Sequence, residues 1–234
     1  MITGLKEYIK GFINIVYPRC CAACGEVLYC NEKILCLKCY IDLPRTGFHT
    51  IPDNEVARIF WGRAPFKNAT SFMYFSRDSK YRQILHELKY RGRQQVGVEM
   101  GRLFGIELKN TPFGEVDMIH PVPLHTSKLR KRGYNQSELI ARGMSESLNI
   151  SVRSGLIVRE TSTHTQTKKS RYERWENVRD TFRIPDPEPL INKHVLLVDD
   201  VITTGATVEA CVEALFTVPG VTLSVSSLAC VKLQ

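Results

Sequence analysis

Val195-Leu196-Leu197-Val198-Asp199-Asp200-Val201-Ile202-Thr203-Thr204-Gly205-Ala206-Thr207 is an uncharged run that meets two adjacent carboxylates and then a turn of threonine and glycine. The apolar run reads as a buried strand over residues 194–200, followed by a helix over 205–216 and a second strand over 221–231. Strand, helix, strand in that order indicates parallel pairing, so the fold class is α/β. Ligands of open parallel sheets bind outside the carboxyl ends of the strands, where the 203–207 turn must lie. Its N–H groups and threonine hydroxyls suit a phosphate at the positive end of a helix dipole. Asp199 and Asp200 cannot hold phosphate directly, but they accept hydrogen bonds from ribose hydroxyls and help hold Mg²⁺-bound water. A sugar phosphate fits both halves. As a strand-end cap and a helix N-cap, the acids and threonines are each explained singly, but their combination is not.

Outward from this stretch, residues 68–75 are β-prone, and Tyr81, Ile84, Leu85 and Leu88 mark a helix that stops at Arg91-Gly92. A further helix runs through Val98, Leu103, Phe104 and Leu108, a short strand spans 116–119 up to Pro121 and Pro123, and a helix spans 137–148. Between the last two lies a basic loop, His120-Pro121-Val122-Pro123-Leu124-His125-Thr126-Ser127-Lys128-Leu129-Arg130-Lys131-Arg132-Gly133-Tyr134-Asn135-Gln136. There Lys128 and Arg132 offer charge-assisted donors to a second polyphosphate group. Residues 159–179 are polar and almost free of aliphatic side chains, which predicts an exposed, mobile loop of functional use.

The Asp-Asp stretch resembles the phosphoribosyl pyrophosphate signature of type I phosphoribosyltransferases: an apolar strand, Asp-Asp, two apolar residues, then Thr-Thr-Gly-x-Thr. Together with Pro121-Val122-Pro123-Leu124-His125, Arg132-Gly133-Tyr134-Asn135-Gln136, Leu88-Lys89-Tyr90-Arg91-Gly92 and the run Gln166, Arg171, Asn177, Phe182, it is similar to the ComF/GntX family of competence proteins. The resemblance implies a phosphoribosyltransferase-like parallel sheet with flanking helices, Asp199 and Asp200 on the ribose, and residues Val201, Ile202, Thr203, Thr204, Gly205, Ala206 and Thr207 on the 5′-phosphate. On the pyrophosphate side it implies Lys89, His125, Lys128, Arg132, Asn135 and Gln136. Gln166, Arg171 and Asn177 become candidates for a loop that closes over phosphoribosyl pyrophosphate and Mg²⁺, excluding water from an oxocarbenium-like transition state. Natural competence, single-stranded DNA and a competence helicase are the implied context. Transfer to a base or amine in nucleotide salvage is one alternative, and a nucleotide-sensing regulator without chemistry is another. The acceptor is not legible.

Cys21-x₂-Cys24 and Cys36-x₂-Cys39 are two knuckles of thiolates that converge on one ion as a closed, structural Cys₄ zinc site. So small a module needs the metal for its stability. Cys20 and Cys30 are register alternatives, and Cys211 and Cys230 read as small core residues.

The 234 residues, 43% hydrophobic and 24% charged, support a sizeable core and exclude a largely disordered chain. The expected organisation is residues 1–48 as an amphipathic helix and zinc module, 49–67 as a connector, and 68–234 as the main domain. Leu5, Ile9, Phe12, Ile13 and Val16 form one helical stripe, interrupted by Lys6, Glu7 and Lys10 in a way no signal peptide would be, and no apolar run approaches a membrane span. A cytoplasmic protein is expected. Net charge is +8, and residues 120–183 carry 13 Lys and Arg against 6 Asp and Glu, which suits a polyanionic partner. For single-stranded DNA a stacking platform is also needed, and Tyr134, Tyr172 and Trp175 are candidates.

Overall fold

The computed structural model describes residues 18–29, 31–160 and 181–232 of the chain. The expected N-terminal helix, Cys30, and the closing-loop candidates Gln166, Arg171 and Asn177 lie outside the described residues. The elements are α1 (Leu37–Ile41), α2 (Glu55–Ile59), β1 (Asn68–Phe75), α3 (Arg82–Tyr90), α4 (Gln94–Leu108), β2 (Met118–Pro121), α5 (Thr126–Arg132), α6 (Gln136–Leu148), β3 (Val158–Glu160), β4 (Thr181–Arg183), β5 (His194–Ile202), α7 (Ala206–Leu215) and β6 (Thr222–Val231).

Four strands form one sheet in the order β1-β6-β5-β2, and every pair is parallel. The expected strand-helix-strand unit is present: β5 and β6 are neighbours, in register from His194 opposite Thr222 to Ile202 opposite Cys230. Both faces of β5 are covered, which is why its apolar run is nearly continuous rather than alternating. Leu196 and Val198 pack on one side with α3, α4, α6 and the cysteine module, while Val195 and Leu197 pack on the other with α2 and α7. At about 25 cal/mol per Å² of apolar surface, fully burying each such side chain contributes roughly 1.5–3 kcal/mol before chain entropy is counted.

Helices α4 and α6 touch backbone to backbone. A Cβ on Gly143 would lie 1.8 Å from the carbonyl oxygen of Val98, and one on Gly101 would lie 2.1 Å from that of Ile140. This contact lets α6 approach closely enough to bring its first turn against the end of β5.

Three features differ from expectation. The strand over 116–119 is Met118–Pro121, so Pro121 sits inside it; β2 ends the four-stranded order, and an edge position tolerates a residue with no N–H to donate. The basic segment is not a loop throughout. Its residues 126–132 form α5, whose first turn is capped by His125 Nδ1 accepting from Ser127 N–H, and which stops at Gly133 in the left-handed region (φ 80°). Finally, β3 and β4 pair as an antiparallel ribbon that brackets 161–180. Among the described residues no helix is long and apolar enough to cross a membrane.

Candidate functional site

Gly205 is the pivot of the phosphate-type turn. It adopts φ 78°, a conformation that favours glycine, and is the residue before α7. The first amides of a helix have no intrahelical acceptor, so those of Thr207 and Val208 lie at the carboxyl end of β5 beside the exposed Thr203 and Thr204, while the Ala206 N–H donates to Thr204 Oγ1 at 3.5 Å. Val201 and Ile202 belong to the last residues of β5, with Ile202 buried as an anchor of the turn.

The back of this turn is held by residues outside the motif. Arg63 donates from Nη1 to the Thr204 carbonyl at 2.9 Å and to the Ile59 carbonyl at 3.2 Å, and it pairs with Glu209 in the first turn of α7. Phe60 and Ile59 approach Gly205 so closely that a Cβ there would lie 2.7 Å from Phe60 Cε1. Sequence reasoning missed these residues, because nothing local in Ile59-Phe60-Trp61-Gly62-Arg63 points to a turn some 140 positions away.

Asp199 and Asp200 have different surroundings. Asp199 Oδ1 accepts from the Asp200 N–H at 2.7 Å and from Ser137 Oγ at 3.2 Å. Asp200 forms an ion pair with Lys89 Nζ at 2.8 Å. Burial, and then the neighbouring Asp200 charge, raise the Asp199 carboxyl to about 7, against the pull of the Asp200 amide, Lys89 and Ser137. Lys89 is thus brought to the acids, and Ser137, expected only as a helix residue, contributes directly.

The Arg132-Gly133-Tyr134-Asn135-Gln136 run is a corner that fixes the two helices supplying Lys89 and Ser137. Tyr134 Oη donates to the Leu88 carbonyl at 2.6 Å, next to Lys89. Asn135 donates to the Val122 carbonyl at 3.0 Å and, through Oδ1, caps α6 by accepting from Ser137 N–H at 3.1 Å. Gln136 is buried, and its Oε1 accepts from Arg132 Nη1 at 2.7 Å; the Arg132 guanidinium lies over the Tyr90 ring, 5.4 Å from its centroid. Asn135 and Gln136 therefore position others, whereas Lys128 is exposed and His125 is engaged as the α5 cap.

The four expected metal-ligating thiols converge. The Sγ atoms of Cys21, Cys24, Cys36 and Cys39 all lie within 4.8 Å of one another, and Cys21 Sγ accepts from the Cys36 N–H at 3.3 Å. The first knuckle is closed by Gly25 N–H on the Cys21 carbonyl at 3.0 Å and by Cys21 N–H on the Glu26 carbonyl at 2.8 Å; the second runs into α1. Four thiols at this spacing, with no fifth donor among the described residues, fit a tetrahedral ion such as zinc with a closed ligand set. Cys20 stands outside the cluster and donates to the Pro18 carbonyl.

Among curated proteins the chain is 28% identical to the DNA utilization protein YhgH of Escherichia coli K12 over 192 residues, covering 80% of each. It is 33% identical to the Salmonella typhi protein of the same name over 129 residues, covering 53% of this chain and 56% of that one. Over 92 residues, 39% of this chain and 40% of the other, it is 36% identical to competence protein F of Haemophilus influenzae Rd. The chain is thus similar to competence protein F over that stretch. The family resemblance carried by the Asp-Asp and Arg-Gly-Tyr-Asn-Gln motifs agrees with these ComF and YhgH relatives. No family model matches the chain. Solved structures similar to it include a glutamine phosphoribosylpyrophosphate amidotransferase from B. subtilis complexed with ADP and GMP (20% identity, TM-score 0.41, 61% of this chain and 30% of that one). An adenine phosphoribosyltransferase is another (18% identity, TM-score 0.37, 65% of this chain and 76% of that one).

Proposed function

We propose that the chain binds phosphoribosyl pyrophosphate with Mg²⁺ at the carboxyl end of β5. The observation that supports this most is the convergence of Asp199, Asp200 and the left-handed Gly205 turn at one strand end, with Ser137 and Lys89 brought in from α6 and α3. The amides and hydroxyls of 203–207 take the 5′-phosphate, the two carboxylates take the ribose hydroxyls and magnesium-bound water, and Lys89 and Arg132 face the pyrophosphate. Transfer at this site would break the bond from ribose C1 to pyrophosphate and form one from C1 to an acceptor nitrogen. A structural zinc in the Cys21, Cys24, Cys36, Cys39 cluster completes the reading. The names of the relatives add a cellular context: we infer that the chain serves the handling of incoming single-stranded DNA.

Melting experiments test the site. Asp199 must be ionised to accept ribose hydroxyls, so ligand binding drives its proton off. In the free chain the raised carboxyl contributes stability that is fully present below the unfolded value of about 4 and is lost as pH rises through about 7. The stabilisation by Mg²⁺ and phosphoribosyl pyrophosphate should therefore be largest at about pH 8 and shrink towards pH 6, as the affinity falls by up to about tenfold per unit. A ligand-induced shift that is the same at both ends of that window would contradict the role given to Asp199.

A further inference from the structure

We propose that single-stranded DNA stacks an unpaired base on Tyr90 and lays its phosphates along the basic clusters near it, an inference that rests on the DNA-handling reading above. Tyr90 ends α3 with 65% of its surface exposed while it touches a ring and a guanidinium neighbour. The His86 ring lies 5.2 Å from it, tilted by 47°, and the Arg132 guanidinium lies over it, 5.4 Å from its centroid. A ring already held by two neighbours loses little side-chain freedom when a base stacks on the surface they leave open, and stacking accepts any base because every base has a π-face.

Cations gather near Tyr90 through its contact with Arg132 and through the next residue of the chain, Arg91. Arg132 belongs to α5, whose last turn also carries Arg130 and Lys131. Arg91 lines a groove of about 840 Å³ between the cysteine module and the start of α4, together with Arg19, Lys33 and Arg93. A second cleft of about 470 Å³ shares Arg19 and Lys33 and adds Arg142. Two acids face these clefts. Glu87 is buried and shared by Arg91 and Arg93, and Glu99 is shared by Lys33 and Arg102, so each acid meets two cations and the lining keeps a positive surplus. The Arg91 side chain remains 64% exposed while it contacts Glu87, free to reach a phosphate. An exposed aromatic ring among clustered cations is the arrangement that binds single strands without reading sequence. The expected platform residue Tyr134 does not serve, because its hydroxyl is spent on the Leu88 carbonyl and it is only half exposed; Tyr172 and Trp175 lie outside the described residues.

The test is fluorescence anisotropy of a labelled thymidine oligonucleotide of about 20 bases against the full chain, Tyr90→Phe, Tyr90→Leu and Arg91→Ala, with each melting curve as the check of folding. The native chain and Tyr90→Phe should bind alike. Tyr90→Leu should bind roughly tenfold more weakly, and Arg91→Ala should reduce the slope of affinity against salt concentration. Binding by the native chain that folded Tyr90→Leu retains would place the strand elsewhere while leaving DNA handling intact. Equal affinity for a duplex of the same length would also overturn the stacking role, and equal affinity for RNA would overturn the choice of DNA. No binding by the native chain would remove both this proposal and the DNA-handling reading.

Discussion

Gly205→Ala should abolish measurable binding of phosphoribosyl pyrophosphate and lower the unfolding free energy by about 2–5 kcal/mol, read from urea denaturation. Two costs combine at this residue. A side chain at φ 78° meets the left-handed penalty of about 1–2 kcal/mol. The added Cβ would also lie 2.7 Å from Phe60 Cε1 and 2.9 Å from Ile59 Cγ2, an overpacking cost of roughly 1–3 kcal/mol. Neither neighbour yields easily, since Phe60 is buried against Phe66 and Arg63 ties Ile59 to the same turn. The turn is displaced instead, and with it the amides proposed to take the 5′-phosphate. Gly155 supplies the comparison: it has φ 86°, but a Cβ there meets nothing within 4 Å. Gly155→Ala should therefore cost only the conformational part, about 1–2 kcal/mol, and leave ligand binding as it was. Equal losses in the two variants would show that the contact with Phe60 and Ile59 does not hold the turn.

Cys39→Ser, or prolonged treatment with a strong chelator, should cause a still larger loss of stability. Zinc binding by small modules is worth about 10–16 kcal/mol in isolated peptides, and the Cys₄ module has little apolar burial of its own to replace it. Its buried residues, among them Ala22, Leu28, Ile34, Leu35 and Leu43, share one core cluster with Leu85, Leu88 and Phe72 of the sheet-helix layer. Two further bonds tie the module to α3 and the turn after it: Tyr81 Oη donates to the Cys39 carbonyl at 3.2 Å, and Arg93 Nη2 donates to the Cys20 carbonyl at 2.9 Å. Melting the module should therefore loosen α3, the helix that carries Lys89 to Asp200. Elemental analysis should find one zinc per native chain and none in Cys39→Ser, with a fall in melting temperature well beyond that of Gly205→Ala. A native chain that holds no metal, and melts identically with and without chelator, would make the four thiols simple cysteines.

Much of the fold was readable because its signals are local. The apolar run of β5, the turn after it and the period of α7 predicted the parallel unit, and β1, α3, α4 and α6 fall where their apolar spacing placed them. The knuckle spacing of the four cysteines likewise needed no long-range information, and their thiols converge as expected. What was not readable depends on contacts between distant segments. Arg63 and Phe60 show no chemistry in their own neighbourhood and acquire a role only where α2 and its following turn meet the loop before α7. Ser137 reads as an ordinary first-turn serine until the approach of α4 and α6 sets it beside Asp199. The Arg-Gly-Tyr-Asn-Gln motif was legible as important, but its work is mostly to hold: Tyr134 and Asn135 spend their polar groups on backbone carbonyls and a helix cap. Tyr90 was passed over for the reason that its exposure, unlike its identity, is a property of the folded chain.

The most direct test is calorimetry of phosphoribosyl pyrophosphate against the zinc-loaded chain, with and without magnesium, beside an Asp199→Asn, Asp200→Asn double variant. The site described at the end of β5 predicts magnesium-dependent binding by the native chain and none by the variant, which should still fold because Asn preserves the shape of both side chains. Absence of binding to the native chain, or equal binding by the variant, would contradict the assignment of these two carboxylates to a phosphoribosyl ligand.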